Sequence, residues 1–77
     1  MLQKEEIQFI KHLNEETFED IVRLVAKLEV GKLNSAEKEQ LVDFLSDRLD
    51  SKGIDGDEIN SLGERIDDII GRIMYDI

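Results

Sequence analysis

The stretch Ile59-Asn60-Ser61-Leu62-Gly63-Glu64-Arg65-Ile66-Asp67-Asp68-Ile69-Ile70-Gly71-Arg72-Ile73-Met74-Tyr75-Asp76-Ile77 decides how this chain folds. Ile59, Leu62, Ile66, Ile69 and Ile73 recur at alternating spacings of three and four, which keeps side chains on one face of an α-helix, and Ile70, Met74 and Ile77 broaden that stripe. A helix over about residues 56–76 is predicted, the longest and most apolar of the chain. At the α-helical rise it would run roughly 30 Å. Gly63 and Gly71 fall inside it. Each costs roughly 1 kcal/mol relative to Ala in a helix interior, which implies either close backbone approach to another element or local flexibility.

The residues upstream read as further helices with defined ends. Asp55 as N-cap with Glu58 at N3 makes a capping-box-like start for the last helix, and Ile54 with Ile59 makes a hydrophobic staple across it. Gly53, free to take the left-handed conformation, ends a third helix, which Asn34 or Ser35 caps and Asn34 with Glu37 reinforces. Leu41, Val42, Phe44, Leu45 and Leu49 form its buried face. A second helix, about residues 15–30, carries Phe18, Ile21, Val22, Val25 and Leu28 on one stripe with Leu24 widening it, and ends at Gly31. Asn14 is its expected cap, Leu13 and Phe18 its staple, and Glu19 and Asp20 stand N-terminal to Arg23 as pairing and the helix dipole favour. Leu2, Phe9, Ile10 and Leu13 place a short first helix before that corner.

The fold expected is all-α: a compact bundle of three to four short helices with the long C-terminal helix as the spine, residues 1–77 forming a single small helical domain. Hydrophobic residues at 40% supply enough apolar material for the chain to collapse.

Charge and composition exclude several classes of function. With 19 Asp and Glu against 10 Lys and Arg the net charge is −9, so phosphates and anionic membranes would repel the chain, and neither direct nucleic-acid binding nor membrane binding is expected. No Cys is present, which removes disulfides, thiolate zinc sites, iron–sulfur clusters and cysteine nucleophiles. The N-terminus turns acidic where a signal peptide needs an apolar run, so a cytoplasmic location is expected. His12 is the only imidazole, and Glu15 and Glu16 beyond the Asn14 corner do not complete a metal site. The segment from Asp50 to Ser61 fails as a calcium loop, because Asp55 stands where the sixth-position glycine belongs and Ser61 where the bidentate Glu belongs. No nucleophile, base and orienting group can be grouped, so neither a cofactor nor an enzymatic activity is expected.

Two surfaces remain. Glu39, Asp43, Asp47 and Asp50 recur every three or four residues and form an acidic ridge opposite Leu41, Leu45 and Leu49, either a solvated face or a docking surface for a basic protein partner. Ile69, Ile70, Ile73, Met74, Tyr75 and Ile77 crowd the last nine residues so densely that some should lie outside the core, which makes them a candidate homodimer interface. The expected function is a small acidic, non-enzymatic protein-interaction module, a regulator or inhibitor of another protein. The alternatives are a homo-oligomeric assembly subunit working through the C-terminal helix, and a phage- or immunity-type inhibitor of a basic nucleic-acid-handling enzyme.

Overall fold

A computed structural model describes residues 2–75. Four helices, α1 (Lys4–Leu13), α2 (Glu19–Glu29), α3 (Ser35–Lys52) and α4 (Ser61–Tyr75), form an all-α bundle, and a two-stranded antiparallel hairpin, β1 (Ile54–Asp55) and β2 (Glu58–Ile59), links α3 to α4. Among the described residues no helix is long and apolar enough to cross a membrane.

The isoleucine stripe makes α4 the spine. Ile66, Ile69 and Ile73 are fully buried together with Ile10 of α1 and Leu41 and Leu45 of α3. Leu24, Val25 and Leu28 of α2 complete the core. Each such side chain contributes about 1.5–3 kcal/mol on leaving water, so the stripe is the largest local source of stability in the last helix. The spine is not the longest element: α3 has 18 residues and α4 has 15.

Several helix ends lie where the side chains place them. Glu37 N donates to Asn34 Oδ1 at 2.8 Å and Asn34 N donates to Glu37 Oε1 at 3.1 Å, a complete capping box. At the end of α2, Lys32 N donates to Lys27 O at 2.9 Å and Gly31 N to Leu28 O at 3.1 Å, with Gly31 at φ +69°, the paired bonds of a Schellman motif.

Two boundaries move, each for a physical reason. Ile54 through Ile59 do not begin α4. Ile54 pairs with Ile59 and Asp55 with Glu58 around Gly56-Asp57, and Gly56 takes φ +65°, as the first central residue of a type II′ turn requires. Asn60 caps α4 instead, accepting from Gly63 N at 2.8 Å while its own N donates to Gly53 O at 2.9 Å and its Nδ2 to Lys52 O at 3.0 Å. One side chain thereby closes the base of the hairpin and starts the helix, and Ile54 and Ile59 stay partly exposed with no staple between them. Gly53 does end α3, but at φ −97°, so its glycine is required by space and not by a left-handed turn.

The second shift is at the corner between α1 and α2. Asn14 does not cap a helix at residue 15. Its side chain spans the turn, accepting from Phe18 N and donating to Phe18 O, both at 3.2 Å, and α2 starts only at Glu19. Phe18 thereby becomes the N-cap of α2, its carbonyl also accepting from Val22 N at 3.0 Å, and Thr17 before it takes φ +52°. Phe18 is consequently 51% exposed and Val22 55%, so the buried stripe of α2 reduces to Ile21, Leu24, Val25 and Leu28.

Candidate functional site

Because Leu41, Leu45 and Arg48 turn inward on α3, Glu39, Asp43, Asp47 and Asp50 lie on its outer side, and all four are exposed. The ridge runs about 16 Å along the helix, roughly twice the screening length at physiological salt. Among the described residues none of the ion pairs includes these four.

Six carboxylates nearer the N-terminus differ, while Glu5 and Glu19 do not. Glu6 is held by Arg72 and Glu15 by Lys52, each at 2.7 Å, and Glu16 by Arg48. Glu29 is held by Lys11 and Asp20 by Arg23, each at 2.9 Å, and Glu37 by Lys27. The hydrogen bond from Lys52, then its charge, lowers the Glu15 pKa; the hydrogen bond from Lys27, then the Asn34 backbone N–H, lowers that of Glu37. Arg48 and Lys52 thus direct their charge toward the corner after α1, and Arg72 is shared between Glu6 and, at 3.4 Å, Asp68 of its own helix, so none of the three meets the outer side of α3.

Beside the ridge lies a cleft. Phe44, half-buried between Asp43 and the next turn's Asp47, faces the first turn of α2 across an open cleft of about 500 Å³ lined by Phe18, Glu19, Asp20, Ile21 and Phe44. Each aromatic residue has one tie to the rest of the chain. The Arg48 guanidinium stands 5.1 Å from the Phe44 ring centroid and is itself held by Glu16, while Asn14 holds the Phe18 backbone. Arg48 is 9% exposed and its Nε has no hydrogen-bond partner among the described residues.

The C-terminal cluster is divided. Ile69 and Ile73 are fully buried within the chain and leave nothing for a second copy to cover, a correction to their expected place in an interface. Ile70 is half-buried against the core, Met74 is 53% and Tyr75 82% exposed, and Ile77 lies outside the described residues. His12 is exposed on α1, on a shallow cleft with Phe9 and Arg65. Among the described residues no three His, Asp or Glu side chains converge where a metal ion could sit.

These features define a small all-α bundle with an acidic outer helix and, beside it, a cleft walled by two phenylalanines. Compared with protein-family models, curated proteins and solved structures, the chain matches none.

The cleft is the feature that sequence patterning missed. Phe18 was expected in a staple because Asn14 reads as a cap for the residues just after it; the competing signal is that an Asn side chain can close a turn onto a backbone several residues away as well as onto a helix start. The hairpin had its own signal, Gly56-Asp57 between two isoleucines, which the capping spacing of Asp55 and Glu58 outweighed.

Proposed function

We propose that this chain is a non-enzymatic protein-interaction module, a regulator or inhibitor that binds a basic surface of another protein through Glu39, Asp43, Asp47 and Asp50. The observation that carries this reading is the segregation of charge. The four ridge carboxylates are exposed, outside the ion pairs of the described residues and lined up on one helix face, whereas six carboxylates from Glu6 to Glu37 each hold a Lys or Arg and the other exposed carboxylates outside those pairs, such as Glu5, Glu19 and Glu64, lie on other elements. Like charges at i, i+4 cost a few tenths of a kcal/mol each, so the row is mildly destabilising alone and gains when a cationic surface meets it. Such a field speeds encounter with a basic partner and disfavours acidic ones. A narrower form of the proposal is an inhibitor that covers the phosphate-binding surface of a nucleic-acid-handling enzyme.

The test is a pull-down from native lysate eluted by a salt gradient, beside the Asp43→Lys, Asp47→Lys variant. A partner that elutes early and is missing from the variant, with helicity unchanged, is expected. Retained binding by the variant overturns the proposal.

A second reading, self-association, is favoured by the exposure of Met74 and Tyr75 at the end of α4. Sedimentation of Tyr75→Asp tests it, since Ile73→Glu would place a charge in the core and unfold the chain.

A further inference from the structure

We infer that the cleft between Phe18 and Phe44 is a docking groove for a basic amphipathic helix of a partner protein, with one large apolar side chain entering the cleft and Lys or Arg on either side meeting the carboxylates that border it. The inference rests on the reading of the α3 ridge as a partner surface and extends that surface into the groove.

Three observations carry it. First, the walls are aromatic, accessible and held in place. Phe18 is 51% exposed on a backbone held by two Asn14 bonds, and the half-buried Phe44 ring has the Arg48 guanidinium, paired with Glu16, 5.1 Å from its centroid. Surface aromatics with little freedom left to lose make efficient anchors for a partner. Second, the turn that presents Phe18 holds Thr17, a β-branched residue, at φ +52°. That conformation is sparsely populated for such a residue and persists only where the surroundings impose it, as at binding sites. A helix starting at Asn14, which local patterning favours, would instead have carried Phe18 toward the core.

Third, the borders are acidic on both sides. Glu19 and Asp20 line the cleft on the α2 side, and on α3 the exposed Asp43 and Asp47 stand one residue before and three residues after Phe44, outside the lining itself. Arg23 pairs with Asp20 at 2.9 Å as an exposed i, i+3 contact, a weak tie that an incoming Lys or Arg can replace. Arg48, the cation nearest Phe44, is 9% exposed and engaged by Glu16, so it does not neutralise the border. Acidic peptides, nucleic acids and anionic lipid are repelled by these borders, whereas an amphipathic helix that alternates apolar and cationic side chains matches both chemistries.

The experiment is a titration of the ¹⁵N-labelled protein, followed by amide shifts, with a synthetic Leu/Lys peptide patterned as an amphipathic helix and with a Ser/Lys peptide of equal charge. The expected result is shifts concentrated at Phe18 to Ile21 and Asp43 to Asp47, with the Ser/Lys peptide weaker by about tenfold or more. Phe18→Ser should weaken the Leu/Lys peptide by about the same factor with an unchanged circular dichroism spectrum, since the side chain is half exposed. No binding, equal binding of the two peptides, or shifts confined to other surfaces overturns the inference. If Phe18→Ser binds like the parent while Asp43→Lys, Asp47→Lys does not, the groove falls and the ridge reading stands. If Asp43→Lys, Asp47→Lys binds both peptides like the parent, the ridge reading falls and the inference falls with it.

Discussion

Gly53 and Gly63 meet backbone to backbone where α3 and α4 cross. A Cβ built on Gly53 would stand 2.6 Å from Gly63 Cα, and one built on Gly63 would overlap the Gly53 carbonyl oxygen and stand 2.6 Å from Ile59 Cγ1. The atoms in the way are mostly main chain, so they cannot rotate aside. Gly63→Ala should therefore destabilise the fold by about 1–3 kcal/mol, even though Ala is the better helix former. Gly71 is the control: among the described residues nothing beyond the helix's own backbone lies within 4 Å of its Cβ position, and Gly71→Ala should stabilise by about 0.5–1 kcal/mol. Thermal unfolding of the two variants should shift in opposite directions.

Arg48 is a buried cation whose carboxylate partner is far more exposed; the Glu16 side chain is 43% exposed and that of Arg48 10%. Removing the carboxylate leaves a guanidinium in a largely desolvated site with one nitrogen already without a hydrogen-bond partner. Glu16→Ala is expected to cost about 1–2 kcal/mol, less than a fully buried pair because solvent screens the Glu16 side. Arg48→Met in the Glu16→Ala background should recover most of that loss. Urea unfolding of the four proteins in this cycle measures the coupling.

Thr17 gives a third measurable case. Thr17→Gly relieves a left-handed conformation at a β-branched residue, and even after the entropy of glycine it should raise stability by about 0.5–1 kcal/mol. Asn14→Ala at the same turn removes both bonds to Phe18 from a buried side chain and should cost about 1–3 kcal/mol. Chemical denaturation distinguishes the two directions.

The lowered pKa of Glu37 fixes a pH dependence. A carboxyl whose folded pKa lies below its ordinary 4.5 contributes stability that is fully present above 4.5 and is lost as pH falls through the folded value. Gln at this position can keep the bond to the Asn34 N–H while losing the charge that attracts Lys27. Wild type should be the more stable of the pair at pH 7, and the gap to Glu37→Gln should close as pH drops below 4.5. Comparing the two proteins by urea unfolding across that range removes the general effect of titrating a strongly acidic chain, which both share.

The helical faces were legible because burial and period agree. Ile66, Ile69 and Ile73 at spacings of three and four are buried together, and Asn34 with Glu37 and the Gly31 end behave as their local chemistry dictates. What was not legible depended on competition between two local solutions of similar energy. Asp55-Gly56-Asp57-Glu58 can start a helix or turn a hairpin, and the hairpin prevails once Gly53 and Gly63 draw α3 and α4 together and Asn60 caps the second helix. Asn14 can cap a helix or close a turn onto Phe18, and no periodicity separates the two. The acidic ridge was readable as a row of charges, while the cleft beside it required the position of Phe18, which that turn alone determines.

The hairpin also makes α3 and α4 neighbours in sequence as well as in space. By joining α3 to α4 through a few residues, it makes the closest-packed helix pair a sequence-local one with little loop entropy to lose, so the pair can form before α1 and α2 dock. Glu6, Glu15 and Glu16 pair with Arg72, Lys52 and Arg48 of that unit, so α1 and the corner after it are tied by charge to two helices that need no long loop to meet.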